Sequence, residues 1–183
     1  MRKSPKVQHD CFKIFLHAYH FHESDHRLRN TVPPDRPDQI PLVAHPAMVL
    51  SAFASELYLK CLLCLETGKV PQTHNLKALF RDLSPALRKQ LEELWEADIN
   101  SRPERQKVLD EIRKLPGGEE LRTDLQYALD VGADAFRELR YFYETEKSFF
   151  LLSDFPNLLH KVILQRMPQW GTIPTIPPKA SVL

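Results

Sequence analysis

Residues 46–68 read PAMVLSAFASELYLKCLLCLETG, the longest apolar stretch of the chain. A helix built from this stretch is apolar on nearly every face, which is typical of a helix buried on most sides. Pro46 suits an early helical position, where its missing N–H costs nothing, and Gly68 suits the position after the last turn. We therefore predict a central helix from about His45 to Gly68, with the other helices packed around it.

The rest of the chain has apolar residues at helical intervals and no strand-like alternation. Thr73 or Asn75 can cap a short third helix, and Ser84 with Pro85 opens a fourth. The sequence predicts a single all-α domain over residues 1–183, with its core at about 8–167. It has four to five main helices plus short ones, a Pro-rich loop at 29–43 and an extended tail at 168–183. The predicted helices are 8–28, 45–67, 76–80, 84–100, 102–115, 119–147 and 155–167.

Composition limits the classes of function. Twenty-five basic and 24 acidic residues give a formal net charge of +1, so no chain-wide positive charge attracts nucleic acid or a membrane. The N-terminal sequence MRKSPKVQHD has no apolar run and does not resemble a signal peptide. Ser55, Glu56 and Lys60 interrupt the central apolar stretch, which favours a core helix over a membrane span. We predict a cytoplasmic protein without membrane contact.

The three cysteines point to the same compartment. An odd number of cysteines, two of them within an apolar helix, predicts free thiols and a reducing environment. Cys61 and Cys64 form a C-x-x-C pair, but both lie mid-helix among leucines rather than at an exposed helix start. We therefore assign the pair no redox or metal role.

Glu56 and Lys60 are the polar exceptions of the central helix. The acid precedes the base by four residues, which favours an ion pair on a solvated face. Alternatively, Glu56 points into the bundle, where a buried carboxylate needs a partner. Arg137 and Arg140, in the late FRELRYFYE segment, are the candidate partners. Such a network could be purely structural.

Two histidines have a spacing that could ligate a metal. His22 and His26 are the ends of an H-E-x-x-H sequence, the spacing that presents two imidazoles to one metal. The motif lies at a polar helix end before the loop, unlike the buried helix of a zinc hydrolase. We therefore predict no metal site and keep these two residues as weak candidates. No clustered glycines cradle a phosphate, and we predict no cofactor.

Three segments together resemble the HEPN superfamily of helical nucleotide-binding domains. They are ASELYLKCLL in the central helix, G followed by THNLKALFRDL, and FRELRYFYE. The resemblance covers roughly residues 8–165. It implies an all-α bundle, commonly dimeric, and it gives Glu56, Lys60, His74 and Arg140 as candidate ligand-binding residues.

Many HEPN proteins are metal-independent ribonucleases of toxin–antitoxin and defence systems. The active members use an R-x(4–6)-H motif on a late helix, in which arginine holds the phosphate and histidine transfers a proton. No histidine follows Arg137 or Arg140 at that spacing, and Arg2 with His9 matches it only at the N-terminus. The remaining catalytic candidates are Arg137, Arg140, Tyr143 and Glu144.

The sequence therefore favours a non-catalytic module that binds RNA, a nucleotide or a partner protein, as a homodimer in a bacterial stress or defence system. A metal-independent ribonuclease is the second hypothesis, with a variant site built from Arg137, Arg140, Tyr143 and Glu144 and with His74 as a further candidate. A purely structural interaction module is the third. Convergence of Glu56, His74 and Arg140 on an open cleft would favour a functional site, whereas mutual burial would favour a structural role.

Overall fold

The computed structural model describes residues 10–33, 35–36, 39–114, 122–140 and 152–172. These residues form eight α-helices and no strand, so the predicted all-α bundle is confirmed. The helices are α1 Cys11–Arg29, α2 Ile40–Thr67, α3 Leu76–Arg81, α4 Pro85–Asn100, α5 Pro103–Arg113, α6 Leu125–Val131, α7 Ala135–Arg140 and α8 Phe155–Arg166. A 3-10 turn, Pro168–Thr172, follows α8.

Helix α2 is the centre of the bundle, since it packs against α1, α3, α7 and α8. Its apolar side chains are buried on several sides, as the near-continuous apolar sequence predicted. Each fully buried large apolar side chain contributes about 1.5–3 kcal/mol relative to an exposed one. The fully buried residues of α2 include Ala52, Ala54, Tyr58, Leu59, Cys61 and Leu62.

The start of α2 differs from the prediction. The helix begins at Ile40 rather than near His45, so the Pro-rich connection is shorter than 29–43. Pro41 occupies the first turn, the position expected of Pro46. Pro46 instead lies inside the helix, where it provides no N–H for the carbonyl four residues earlier. That carbonyl belongs to Leu42, which is exposed, so water can satisfy it.

Helices α1 and α2 run antiparallel. Asp10 caps α1 by accepting from the amides of Phe12 and Lys13. A disulfide joins Cys11, at the start of α1, to Cys64, near the end of α2. The prediction of three free thiols is therefore wrong for this pair, because antiparallel packing brings two distant cysteines together. Cysteine usage no longer supports the cytoplasmic assignment, which stays a prediction.

The predicted long helix at 119–147 is interrupted. The amide of Gly132 closes α6 by donating to Ala128, and α7 begins at Ala135. Between them, the Ala133 carbonyl accepts from the amide of Leu76 at 2.7 Å. This hydrogen bond to the start of α3 replaces a bond within the helix, so the single-helix prediction is wrong here. Residues 119–121 and 141–147 lie outside the described part of the chain.

Gly132 permits a close approach by the side chain of Leu152, a residue that precedes α8. A Cβ added at Gly132 would lie 2.9 Å from Cδ1 of Leu152 and 3.1 Å from the Ala128 carbonyl oxygen. Leu152 is fully buried. The break between α6 and α7 is therefore packed directly against the core.

The start of α4 agrees with the prediction, whereas the segment after α8 does not. Ser84 caps α4 through the Leu87 amide, and Pro85 fills its first turn, as predicted. Residues 168–172 form the 3-10 turn instead of an extended tail. They place Trp170 against the rings of Phe12 and Phe15, with centroid distances of 5.4 and 5.1 Å. Residues 173–183 lie outside the description.

Only length and composition make α2 a candidate membrane span. The Leu42–Thr67 segment is long and apolar enough to cross a bilayer, and 67% of its most apolar window is buried inside the protein. A central helix of a bundle has both properties.

Candidate functional site

Glu56, Lys60 and His74 form one connected polar group. Oε1 of Glu56 accepts from Nζ of Lys60 at 2.8 Å and lies 2.9 Å from Nδ1 of His74. Glu56 is 1% exposed and Lys60 is 8% exposed, so the prediction of a solvated surface pair is wrong. Because a buried carboxylate requires compensation, the lysine and histidine both stabilise Glu56 in its position.

His74 extends this group to the surface. Its side chain is 66% exposed, although its Nδ1 faces the buried carboxylate. Since Glu56 is an acceptor, Nδ1 of His74 carries the proton and donates it. In the neutral imidazole this arrangement leaves Nε2 as an acceptor on the accessible side. A carboxylate that fixes one ring nitrogen while the other stays open is the usual orientation of a histidine that moves protons.

Two loops hold His74 beside α7. Asn75 caps α3 with its side-chain oxygen and donates its side-chain amide to Asp134 at 3.3 Å. The backbone bond from Leu76 to Ala133 reinforces this connection. The interruption of the predicted long helix therefore places the α6–α7 turn against the loop that carries His74.

An open cavity of about 480 Å³ lies between these loops. Its apolar wall includes Phe136, whose ring stacks on Phe53 at a centroid distance of 4.5 Å. Its polar groups include His74 and Arg137, both of which belong to the variant site of the ribonuclease hypothesis. The lining residues are Thr73, His74, Asn75, Asp134, Phe136 and Arg137.

Arg137 is exposed, and its guanidinium makes no hydrogen bond or ion pair with another described residue. It does not bind Glu56, whose described partners are Lys60 and His74. Of the other late-helix candidates, Arg140 ends α7, but its side chain is not described. Tyr143 and Glu144 lie outside the described residues.

The structure brings together three of the four predicted ligand-binding residues, namely Glu56, Lys60 and His74. Convergence on an open cleft would favour a functional site, and mutual burial would favour a structural role. Both conditions are met in part, because Glu56 and Lys60 are buried together while His74 faces an open cavity. Oε2 of Glu56 is also buried and has no hydrogen-bond partner among the described atoms. Such an atom is costly in a purely structural network, since a buried polar atom is normally paired.

A second polar assembly was not predicted from the sequence. The hydroxyl of Tyr58 on α2 lies 3.2 Å from Nδ1 of His22 on α1 and 2.8 Å from Nδ1 of His160 on α8. Nε2 of His22 lies 2.9 Å from Oδ1 of Asn157. Burial lowers the pKa of His160 to about 4, with a smaller contribution from His22, and burial also lowers the pKa of His22. Burial raises the pKa of Tyr58 above its usual range.

In the sequence, only one feature indicates this assembly, namely His160 within an apolar helix. His160 lies between Leu159 and the pair Val162 and Ile163, all of which are buried. A histidine at the edge of such a stripe faces the protein interior, but nothing local identifies Tyr58 as its partner.

The H-E-x-x-H residues do not converge. Both ring nitrogens of His22 face Tyr58 and Asn157, whereas His26 is exposed and lies 3.0 Å from the side-chain amide of Asn30. Glu23 pairs with Arg27. Within the described ranges, no three His, Cys, Asp or Glu side chains are grouped as metal ligands.

Comparisons with protein-family models, with curated proteins and with solved structures find no significant match to the chain. The resemblance to the HEPN superfamily therefore rests on the sequence motifs alone.

Proposed function

We propose that the chain binds an RNA or nucleotide phosphate in the cavity between His74 and Arg137. The observation that carries this proposal is an exposed guanidinium that lines the same cavity as an imidazole held in place by a buried carboxylate. Guanidinium groups bind phosphate with paired, charge-assisted hydrogen bonds. Arg137 lines the cavity, and Glu56 of the central helix holds His74, which also lines it. The sequence linked these segments only by the family resemblance.

The size and lining of the cavity suit a nucleotide unit. Its volume of about 480 Å³ falls within the range of small-ligand clefts. Phe136 gives an apolar wall for a base or sugar. Asp134 is an acceptor for a hydroxyl group, although its charge opposes a phosphate placed too close to it. The phosphate is therefore expected near Arg137 and His74.

Binding of a fluorescently labelled single-stranded RNA tests the proposal. Arg137→Ala should weaken binding at least tenfold, about 1.4 kcal/mol, because it removes the phosphate-binding group. Arg81→Ala is the matched control, since Arg81 is exposed on α3 beside Asp82 and does not line the cavity. Equal affinities for the wild type and both variants, or the absence of binding, would contradict the proposal.

A metal-independent ribonuclease is the second candidate, favoured by the Glu56–His74 pair. The late helix lacks the expected histidine, and His74, from another element, lines the same cavity as Arg137. Nε2 of His74 would accept the 2′-hydroxyl proton of RNA while the 2′-oxygen attacks the adjacent phosphorus. The bond from phosphorus to the 5′-oxygen breaks and water protonates that oxygen, while the protonated His74 returns its proton to the solvent. A 2′,3′-cyclic phosphate remains.

Cleavage of the same RNA in the presence of EDTA distinguishes the two candidates. The ribonuclease hypothesis requires cleavage by the wild type and a loss of at least about 100-fold in His74→Gln, which can hydrogen-bond but not transfer the proton. RNA binding without cleavage would leave the binding module as the function.

We also propose, from the family resemblance, that the chain forms a homodimer and acts in a bacterial stress or defence system. Analytical ultracentrifugation of the purified chain tests the first. A monomer at micromolar concentration would remove it.

A further inference from the structure

The hydrogen bonds among His22, Tyr58, His160 and Asn157, here called the histidine–tyrosine chain, can be counted donor by donor. With Asn157 as acceptor, Nε2–H of His22 donates to it and the Tyr58 hydroxyl donates to Nδ1 of His22. The Tyr58 oxygen then accepts from Nδ1–H of His160. All three contacts are satisfied while both imidazoles are neutral.

One added proton does not break this chain. If His22 takes the proton, its Nδ1–H donates to the Tyr58 oxygen. The Tyr58 hydroxyl then turns to donate to Nδ1 of His160, whose own proton moves to Nε2. If His160 takes it at Nε2, the original three bonds persist. The chain therefore tolerates a single positive charge.

A second proton does break it. Both Nδ1 atoms then carry hydrogen and face the Tyr58 oxygen, so the Tyr58 hydroxyl has no acceptor within the chain. Tyr58 is fully buried, and an unsatisfied buried hydroxyl is costly. The two cationic rings would also repel each other, because their centroids are only 5.8 Å apart.

The surroundings do not neutralise two charges. Glu23 and Asp25 favour a proton on His22, while His26 disfavours it. Asp25 is itself paired with Arg29 at 2.7 Å. Burial and His22 both act against a proton on His160, and no described group of α4 or of the 3-10 turn offsets them. The titratable groups around the chain are Tyr19, Glu23, Asp25 and His26 on α1 and Cys61 on α2.

We propose that the histidine–tyrosine chain is an acid-sensitive fastener, which joins α1 and α8 to α2 while its histidines are neutral and weakens when both are protonated. Its position suits this role, because one hydroxyl of α2 is shared by a side chain from each of the other two helices. The disulfide keeps the start of α1 on α2, so the fastener chiefly controls how firmly α8 is held.

The sign of the pH dependence follows from the direction of the shifts. The pKa of His160 falls from about 6.5 in the unfolded chain to about 4 in the fold, so the unfolded chain binds protons first. The contribution to stability is therefore fully present above about pH 6.5. It is lost as the pH falls toward about 4.

Urea unfolding at pH 7 and pH 4.5 tests the fastener with the full chain. His160→Gln keeps a side chain able to hydrogen-bond with Tyr58 but cannot be protonated. The unfolding equilibrium constant should rise between the two pH values about 50-fold more in the wild type than in His160→Gln. His17→Gln is the control, since His17 is exposed on α1 and is not among the groups that act on His22 or His160, and its pH profile should match the wild type.

A direct measurement covers a variant that fails to fold. NMR titration of the wild-type imidazoles should place the pKa of His160 well below the ordinary histidine value of about 6.5. A pKa of His160 near 6.5, or identical acid sensitivity of wild type and His160→Gln, would overturn the proposal.

Discussion

Glu56 and Tyr58 lie two residues apart on α2 and belong to different polar assemblies. Successive helical residues turn by about 100°, so side chains two positions apart face nearly opposite directions. Glu56 joins Lys60 and His74 toward the cavity, whereas Tyr58 joins His22 and His160 between three helices. One turn of the most apolar helix therefore carries both a candidate binding site and a candidate pH sensor.

Removal of the buried carboxylate should destabilise the fold. Glu56→Leu leaves Lys60 charged, buried and without its partner, which costs about 3–5 kcal/mol. The double variant Glu56→Leu/Lys60→Met should recover much of this loss, because it removes both charges. Urea denaturation measures both free energies of unfolding. A double variant as unstable as the single one would show that the pair is not the origin of the effect.

Neutralising Asp134 should strengthen phosphate binding. Asp134→Asn removes the negative charge from the cavity lining while its side-chain oxygen can still accept from Asn75. We expect the RNA dissociation constant to decrease about two- to fivefold, with the larger effect at low salt because screening is weaker there. Anisotropy titrations at two salt concentrations measure this change. Unchanged or weaker binding in Asp134→Asn argues against a phosphate in this cavity.

The disulfide should contribute strongly to stability. Cys11 and Cys64 close a loop with a sequence separation of 53, which corresponds to about 4 kcal/mol in the chain-entropy model. Reductant should lower the melting temperature of the wild type but not that of Cys11→Ala/Cys64→Ala. Thiol titration of the denatured, unreduced protein should detect one thiol, that of Cys61. Three thiols per chain would contradict the pairing.

A methyl group at the α6–α7 break should destabilise the protein. Gly132→Ala gains up to about 1 kcal/mol by reducing the conformational entropy of the unfolded chain, but it forces its Cβ against buried Leu152. Overpacking of this kind costs about 1–3 kcal/mol, so the net change should be a loss of stability.

Gly171→Ala is the matched control for that substitution. A Cβ there would meet Leu164 at 3.8 Å, an ordinary contact distance. Thermal unfolding of the two variants compares them. A melting temperature of Gly132→Ala at or above the wild-type value would show that Leu152 adjusts freely.

The sequence predicted the features that depend on nearby residues. Ser84 with Pro85 marked the start of α4, Asn75 was one of two expected caps for α3, and the apolar stretch marked the central helix. The spacing of Glu56 and Lys60 also predicted their contact. These features arise from hydrogen bonds and side-chain neighbours within about four positions, so local pattern suffices.

The predictions that failed concern features that depend on contacts between distant segments. Nothing near Cys11 identifies Cys64 as its partner, and the helical pattern through Gly132 gave no sign of the bond from Leu76 to Ala133. No local pattern placed His74 in the same cavity as Arg137, because a motif searched along one helix cannot find a histidine that another loop supplies. Only the family resemblance suggested the two residues for one site.

The disulfide has a practical consequence for handling the purified protein. Cys11 and Cys64 enclose α1, the Pro-rich connection and most of α2 in one covalent ring. A single protease cut in the Pro-rich connection opens this ring without releasing a fragment. The nicked chain would therefore migrate as one species on a denaturing gel until a reducing agent separates its two pieces.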